Sequence, residues 1–347
     1  MPSQLHLEKT IRFSVLSADT PDHNNGNSAQ NAKSTTSVEL PVMKLEDLLL
    51  HRHRKNTEEV RQQLWRHLQN RGFVVLTLSK SSKPAHIVDE MRRSLYRDFF
   101  PTRKATTRNA ASLESGDLYR SERGVPMWRC GYELCDDIRE AYRVHAGCPD
   151  SQPWPSGSRR AWLRGLALCR HICDEALYLT LDYNPSCRPG SGMSSWNSTN
   201  YCDAKELPDR RGDYSVLYAM HYFNDDVSRQ ARQSGEATGL KDVSINVKQH
   251  VDPSLFVLEP FLAGREGLQV YSKEWLTCDG PSSPIHSFLL PDEDAMILFV
   301  GKAFAANSNF SIQPTLHRVV APPSFGSRRT MIYEQKYEEY FEPPSLD

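Results

Sequence analysis

Two histidines and one aspartate carry the chemistry this sequence could do. His250 and Asp252 stand two residues apart in Gln249-His250-Val251-Asp252-Pro253-Ser254, with Val247 before them and Leu255-Phe256-Val257-Leu258 after. Side chains alternate along an extended chain, so both would project to the same side of a strand. His317 lies 65 residues beyond Asp252, in the β-branched run Leu316-His317-Arg318-Val319-Val320. Two imidazoles and one carboxylate can hold an iron(II) ion on one face of its octahedron and leave three positions open. Arg328 and Thr330 follow, again spaced for one strand face. A guanidinium fork beside a hydroxyl can hold a carboxylate bidentately. A His-x-Asp triplet alone arises often by chance. The ordered series His-x-Asp, His, Arg-x-Thr with strand-like flanks is far more specific. It predicts a metal site with a carboxylate anchor beside it.

The elements that position these residues are legible around them. Asn56-Thr57-Glu58-Glu59 has the form of a helix start, with Asn56 as cap and Glu59 three residues on. Val60, Leu64 and Leu68 then share a face with Trp65 beside them, and Gly72 is placed to end the helix. Phe73-Val74-Val75-Leu76 reads as a buried strand. His51-Arg52-His53-Arg54-Lys55 reads as a solvated loop ahead of the helix rather than a localisation signal. Ile87, Met91, Leu95 and Phe99 form a second helical stripe, stopped by Pro101. Trp162, Leu166, Cys169, Cys173 and Leu177 define a long helix over Arg160–Leu181, expected against the outside of a sheet. From Ser215 onward strands dominate, beginning with Val216-Leu217-Tyr218-Ala219-Met220-His221-Tyr222. Residues 1–37 are polar and rich in Asn and Ser, and are expected to be disordered. The stretch 102–155 reads as loop-like, and Asp225–Asp242 as a polar insertion at a rim, a solvated loop ahead of a lid.

Composition narrows the function classes. Among 347 residues, 42 Lys and Arg balance 43 Asp and Glu, for a net charge of −1. That balance argues against a general nucleic-acid binder and gives no electrostatic reason for membrane-surface binding. No apolar run is long enough to span a bilayer, and Met1–Leu7 lacks a secretory pattern, so a cytoplasmic protein is expected. The eight cysteines contain no Cys-x-x-Cys pair, so no zinc site is indicated; free thiols in a reducing compartment account for them.

The sequence resembles the iron(II)/2-oxoglutarate-dependent dioxygenases, in the branch of isopenicillin N synthase and the plant flavonoid and gibberellin oxidases. The resemblance rests on His250-Val251-Asp252-Pro253-Ser254-Leu255, on Glu266-Gly267-Leu268-Gln269-Val270, and on Asp294–Gly301, a strand that ends in glycine. Asn307-Ser308-Asn309, His317-Arg318-Val319-Val320 and Arg328-x-Thr330 complete it; the N-terminal half matches in pattern only. The resemblance implies a mainly β fold with flanking helices, a distorted double-stranded β-helix or jelly roll. Residues 38–347 would form one domain, helix-rich over 38–213 and with its jelly-roll core at 214–335.

It further implies Fe(II) held by His250, Asp252 and His317. The cosubstrate 2-oxoglutarate would meet Arg328, Thr330 and Tyr222, and ascorbate is a candidate reductant. The family often has asparagine where this chain has Met220. The implied activity is oxidation of a small organic molecule by O2 through hydroxylation, desaturation or ring closure, with release of succinate and CO2. Related halogenases lack the carboxylate, so Asp252 favours oxygen insertion or desaturation. Period-two spacing turns Arg329 and Arg318 away from the site. By strand register Tyr218 and Glu334 would line a substrate pocket, and Trp128 is a further candidate. A monomer acting on a small molecule, with no nucleic-acid or membrane partner, is expected. The alternatives are an iron-dependent oxidase that uses no 2-oxoglutarate, a non-catalytic ligand-binding jelly roll, and a zinc hydrolase; the last lacks a general base and leaves Arg-x-Thr unexplained.

Overall fold

The computed structural model describes residues 40–98, 130–136, 139–147, 154, 157–181, 212–222, 244–260, 268–270, 286–287, 295–321 and 327–341. Trp128, Phe99, Pro101, residues 1–37, the 225–242 segment and most of 102–155 lie outside them. The architecture is mixed α/β, with two sheets and a helical layer on one side.

The larger sheet has eight strands in the order β1 (Val42–Lys44), β2 (Phe73–Thr77), β10 (Ala295–Val300), β7 (Phe256–Glu259), β12 (Arg328–Glu334), β5 (Val216–Tyr222), β4 (Arg139–His145) and β3 (Gly131–Asp136). The smaller has β6 (Ser244–His250), β11 (His317–Ala321), β8 (Leu268–Val270) and β9 (His286–Ser287). Neighbours pair antiparallel except β1 with β2.

Alternation along the large sheet divides two cores. Val74 and Leu76 of β2, Met296 and Leu298 of β10, and Leu217 and Ala219 of β5 pack toward the helices. Phe73, Val75, Ile297, Phe299, Met220 and Tyr222 pack instead with Val270 and Val319 of the small sheet. A strand buried on both faces must be apolar at nearly every position, which is why Phe73–Leu76 and Ala295–Val300 read as unbroken runs.

Among the described residues the helical layer comprises α1 (Leu45–Arg54), α2 (Thr57–Arg71), α3 (Lys83–Asp98) and α4 (Arg159–Leu181), with a short α5 (Lys302–Asn307) beside the turn at Asp252. α2 buries Val60, Leu64 and Leu68, and ends at Gly72, whose φ of 77° is a left-handed conformation that favours glycine. Gly72 also offers its carbonyl to the Val300 amide at 3.0 Å, so the helix end is tied to β10.

Two expectations need correction. Asn56 sits at the helix boundary, yet its side chain makes no capping bond. The basic stretch from His51 belongs mostly to α1, not to a solvated loop, because Leu45, Leu48 and Leu49 give that helix a buried face. On that face His51 is fully buried and its Nε2 meets Glu175 Oε2 at 2.8 Å. α4 lies against the outside of the large sheet as expected, at β7 and β12, and also packs on α1, α2 and α3. Its polar residues are therefore paired: Arg170 meets Asp213 at 2.7 Å, and Asp174 accepts from the Gln335 amide at 2.9 Å. No helix among the described residues is long and apolar enough to cross a membrane.

Candidate metal centre

His317 opens β11 and His250 closes β6, and the two are direct partners in the small sheet. Their rings stand 4.3 Å apart. The ladder slips by one residue between this pair and Val319–Val247. That bulge lets Val247 pack in the inter-sheet core although it lies an odd number of positions from His250. Asp252 sits just beyond β6, in the turn toward β7, and reaches both histidines. One carboxylate oxygen is 3.5 Å from His250 Nε2 and the other 3.4 Å from His317 Nε2.

The donor atoms of these three residues all lie within 4.8 Å of one another, the group of this kind found among the described residues. Metal–ligand bonds of about 2.1 Å at right angles would place donors about 3 Å apart, so small side-chain adjustments suffice to close on one ion. The tautomers fit as well. Nδ1 of His250 donates to the Lys248 carbonyl at 2.8 Å, and Nδ1 of His317 donates to the Thr315 carbonyl at 3.1 Å. Each bond spends the Nδ1 proton and leaves the Nε2 lone pair facing Asp252, the form a metal needs.

The electrostatics are asymmetric. His317 is buried, with the Phe299 ring stacked on it at 5.3 Å, and burial lowers its basicity despite the nearby Asp252 charge. His250 is more open, and its hydrogen bond to Asp252 raises its pKa. Burial pushes the Asp252 carboxyl upward, but the His250 bond and the charges of His317, His250 and Lys336 outweigh it and hold the carboxyl below its ordinary range.

The turn carrying Asp252 is clamped from behind. Amides at the start of α5 bind its carbonyls: Lys302 N reaches Asp252 O at 2.8 Å and Ala303 N reaches Ser254 O at 3.1 Å. These are donors that a helix start leaves without intrahelical partners. The chain crosses so closely here that a Cβ on Gly301 would lie 2.0 Å from the Ser254 carbonyl oxygen.

Arg328, Thr330 and Tyr222, the residues expected to meet a cosubstrate carboxylate, come together on the large sheet. Arg328 pairs with Tyr222 across β12 and β5, and its guanidinium lies 5.5 Å from the Tyr222 ring centre. Thr330 shares its strand face and is buried. Arg329 turns the other way, over the Tyr96 ring of α3 at 5.4 Å, and Arg318 donates to Gln269 Oε1 at 2.7 Å. Both fall where alternation puts them.

Sequence reasoning missed Glu259. Its Oε2 accepts from Arg328 Nη2 at 3.1 Å and from Thr330 Oγ1 at 3.2 Å, so a carboxylate of the chain itself occupies the anchor. The available signal was an acid ending a strand whose other residues are all apolar, a position that is seldom charged without a partner. Burial raises the Glu259 pKa against the opposing Arg328 charge and Thr330 bond.

Of the substrate-lining candidates, Tyr218 is buried on the same face of β5 as Tyr222. Glu334 lies on the face of β12 that carries Arg328, but its carboxylate is ion-paired with the fully buried Lys336, which compensates the charge it was expected to offer. Trp128 lies outside the described residues.

No known family profile and no curated protein matches the chain. Solved structures do match in fold. An oxygenase provisionally assigned in Shewanella oneidensis aligns with a TM-score of 0.54 at 17% identity, covering 86% of this chain and 90% of that one. A protein provisionally assigned to the 2OG-Fe(II) oxygenase family in Caulobacter crescentus aligns at 0.52 and 13%, covering 89% and 94%. The dioxygenase for auxin oxidation 1 of Arabidopsis thaliana, solved as a complex with 2-oxoglutarate, aligns at 0.54 and 11%, covering 86% and 92%. The chain thus has the fold of the 2-oxoglutarate/Fe(II) oxygenases, with a candidate His-Asp-His triad in it.

Proposed function

We propose that this chain is an Fe(II)- and 2-oxoglutarate-dependent oxygenase of the isopenicillin N synthase-like branch, built on a distorted double-stranded β-helix. Its reaction would oxidise a small organic substrate by hydroxylation, desaturation or ring closure, with 2-oxoglutarate and O2 consumed and succinate and CO2 released. The observation that carries this reading is the convergence of His250 Nε2, His317 Nε2 and the Asp252 carboxylate, with both Nδ1 protons already committed to backbone carbonyls. Bound there, ferrous iron supplies O2 activation and the oxidising power for a C–H bond.

The residues do the remaining work. His317 and Asp252 offer ligand atoms that Phe299, the Thr315 carbonyl and the α5 amides keep in place. His250 is the more open of the two histidines. Arg328 and Thr330 form the anchor for the distal carboxylate of 2-oxoglutarate, with Tyr222 bracing the guanidinium. Tyr218 and the inter-sheet side of β4 and β5 would wall the substrate space.

One observation favours a second reading. Glu259 already pairs with Arg328, as would suit an oxidase that uses O2 without 2-oxoglutarate. Oxygen uptake by the iron-loaded protein, with a panel of small-molecule substrates and with or without 2-oxoglutarate, separates the two. Succinate formation that depends on His317 and Asp252 supports the first reading. Oxygen uptake and product without succinate supports the second.

A further inference from the structure

The anchor pair is not built like a structural ion pair. Glu259 reaches Arg328 through one oxygen, Oε2, which also takes the Thr330 hydroxyl proton. A bidentate contact would have used both carboxylate oxygens and two guanidinium N–H groups. Here Nε and Nη1 of Arg328 have no hydrogen-bond partner among the described residues, although Arg328 is only 4% exposed. Buried donors are nearly always paired, so a guanidinium with one nitrogen engaged and two idle marks room for another acceptor. The charges limit what that acceptor can be. Arg328 and Glu259 cancel, and Asp252 is close enough to act on Glu259 electrostatically. A second carboxylate entering beside them would bring a negative charge to a pair that is already neutral.

We propose that Glu259 is the specificity-determining residue of the anchor, a resident carboxylate with which the distal carboxylate of 2-oxoglutarate competes for Arg328 and Thr330. This rests on the 2-oxoglutarate reading above. Glu259 ends β7, between β10 and β12, and faces Arg328 and Thr330 of β12, while Asp252 lies in the turn that precedes β7. The Glu259 hydrogen bonds run to Arg328 and Thr330. An incoming diacid finds Arg328 Nε and Nη1 idle, but it must share the Arg328 charge with Glu259 and compete with it for the Thr330 hydroxyl, so its affinity is lowered by the resident carboxylate. A 2-oxo monoacid, which binds only at the metal end, does not meet this competition.

Titration of the Mn(II)-loaded full chain with 2-oxoglutarate and with 2-oxopentanoate, which lacks the distal carboxylate, tests the assignment by calorimetry. Glu259→Gln keeps an oxygen for Arg328 and Thr330 but removes the charge; Glu259→Leu removes both. We expect Glu259→Gln to tighten 2-oxoglutarate binding by about tenfold or more, a charge-assisted bond being that much stronger than a neutral one. Binding of 2-oxopentanoate should change by less than about twofold. Glu259→Leu should tighten the diacid further where the protein folds, and Glu259→Gln serves as the test where it does not. Unchanged or weaker binding of 2-oxoglutarate to Glu259→Gln overturns the role of Glu259 and leaves the cosubstrate reading standing. Equal tightening of both ligands overturns it as well, because the effect would then lie at the metal. If neither wild type nor variant binds 2-oxoglutarate at about 10 mM while both bind Mn(II), the cosubstrate reading falls and this proposal with it.

Discussion

Adding one methyl group at Gly301 tests how the metal turn is held. In Gly301→Ala the new Cβ would start 2.0 Å from the Ser254 carbonyl oxygen, 2.7 Å from its carbon and 2.9 Å from its hydroxyl. Ordinary contact begins near 3.4 Å, so the two segments must part by about 1.4 Å. No flexible side chain can absorb this, because the closest atoms are backbone. The backbone bonds joining the segments, Gly301 N to Leu255 O at 2.9 Å, Lys302 N to Asp252 O at 2.8 Å and Ala303 N to Ser254 O at 3.1 Å, would stretch or break. Overpacking typically costs about 1–3 kcal/mol, and a lost backbone bond about 1 more. Together these predict a melting temperature about 3–5 °C lower for a chain of this size. The larger consequence is at the metal. Asp252 hangs on this turn, and constellations of this kind tolerate about 0.5 Å of error. Mn(II) affinity should fall about 10–100-fold, as when support around a ligand is removed. Thermal melts of the metal-free protein and calorimetric Mn(II) titration measure the two effects separately. A Gly301→Ala protein that melts with wild type and binds Mn(II) with wild-type affinity would refute the argument that this crossing positions Asp252.

Other outcomes are expected. His317→Ala and Asp252→Ala should abolish metal binding and succinate formation while the far-ultraviolet circular dichroism stays at wild type; unchanged succinate production in either would defeat the ligand assignment. Arg328→Ala should raise the KM for 2-oxoglutarate about 10–100-fold, the worth of a hydrogen bond to a charged group, and leave the substrate KM much less affected; equal effects on both would argue for another role. pH should act on metal binding and on metal-free stability in opposite directions. The Asp252 bond raises the His250 pKa above the ordinary 6.5. Its stabilising contribution to the metal-free fold is therefore complete below 6.5 and lost as pH rises through the raised value. His317, depressed by burial, contributes above 6.5 and loses its contribution only as pH falls, so it does not offset this change. Above pH 6.5 the metal-free melting temperature should drift down while Mn(II) affinity rises, because the ion must displace the His250 proton; affinity independent of pH across this range would contradict the assignment.

The Arg-x-Thr pair and the strands of the two histidines were readable without coordinates because strand periodicity is local, whereas Asp252 reaches both histidines from the turn beyond β6 rather than by alternation. The same rule correctly turned Arg329 and Arg318 outward. The helices α2 and α4 were equally plain, since their apolar spacing is a property of consecutive residues. What failed were inferences about partners far away in sequence. His51 looked solvated because its neighbours are basic, but Glu175, 124 residues on, draws it into the helical layer. Asn56 looked like a cap, and its backbone is at the boundary without its side chain closing the bond.

Sequence by itself therefore determined the kinds of groups available and which of them share a strand face: two imidazoles, a carboxylate, a guanidinium and a hydroxyl. Only the tertiary structure decided that β6 and β11 bring the imidazoles into register, that Gly301 lets α5 clamp the Asp252 turn, and that Glu259 already sits on Arg328. The physical reason is that face alternation acts over two residues of one strand. Strand pairing, close approach and charge compensation act across space, between segments whose separation along the chain carries no record of their contact.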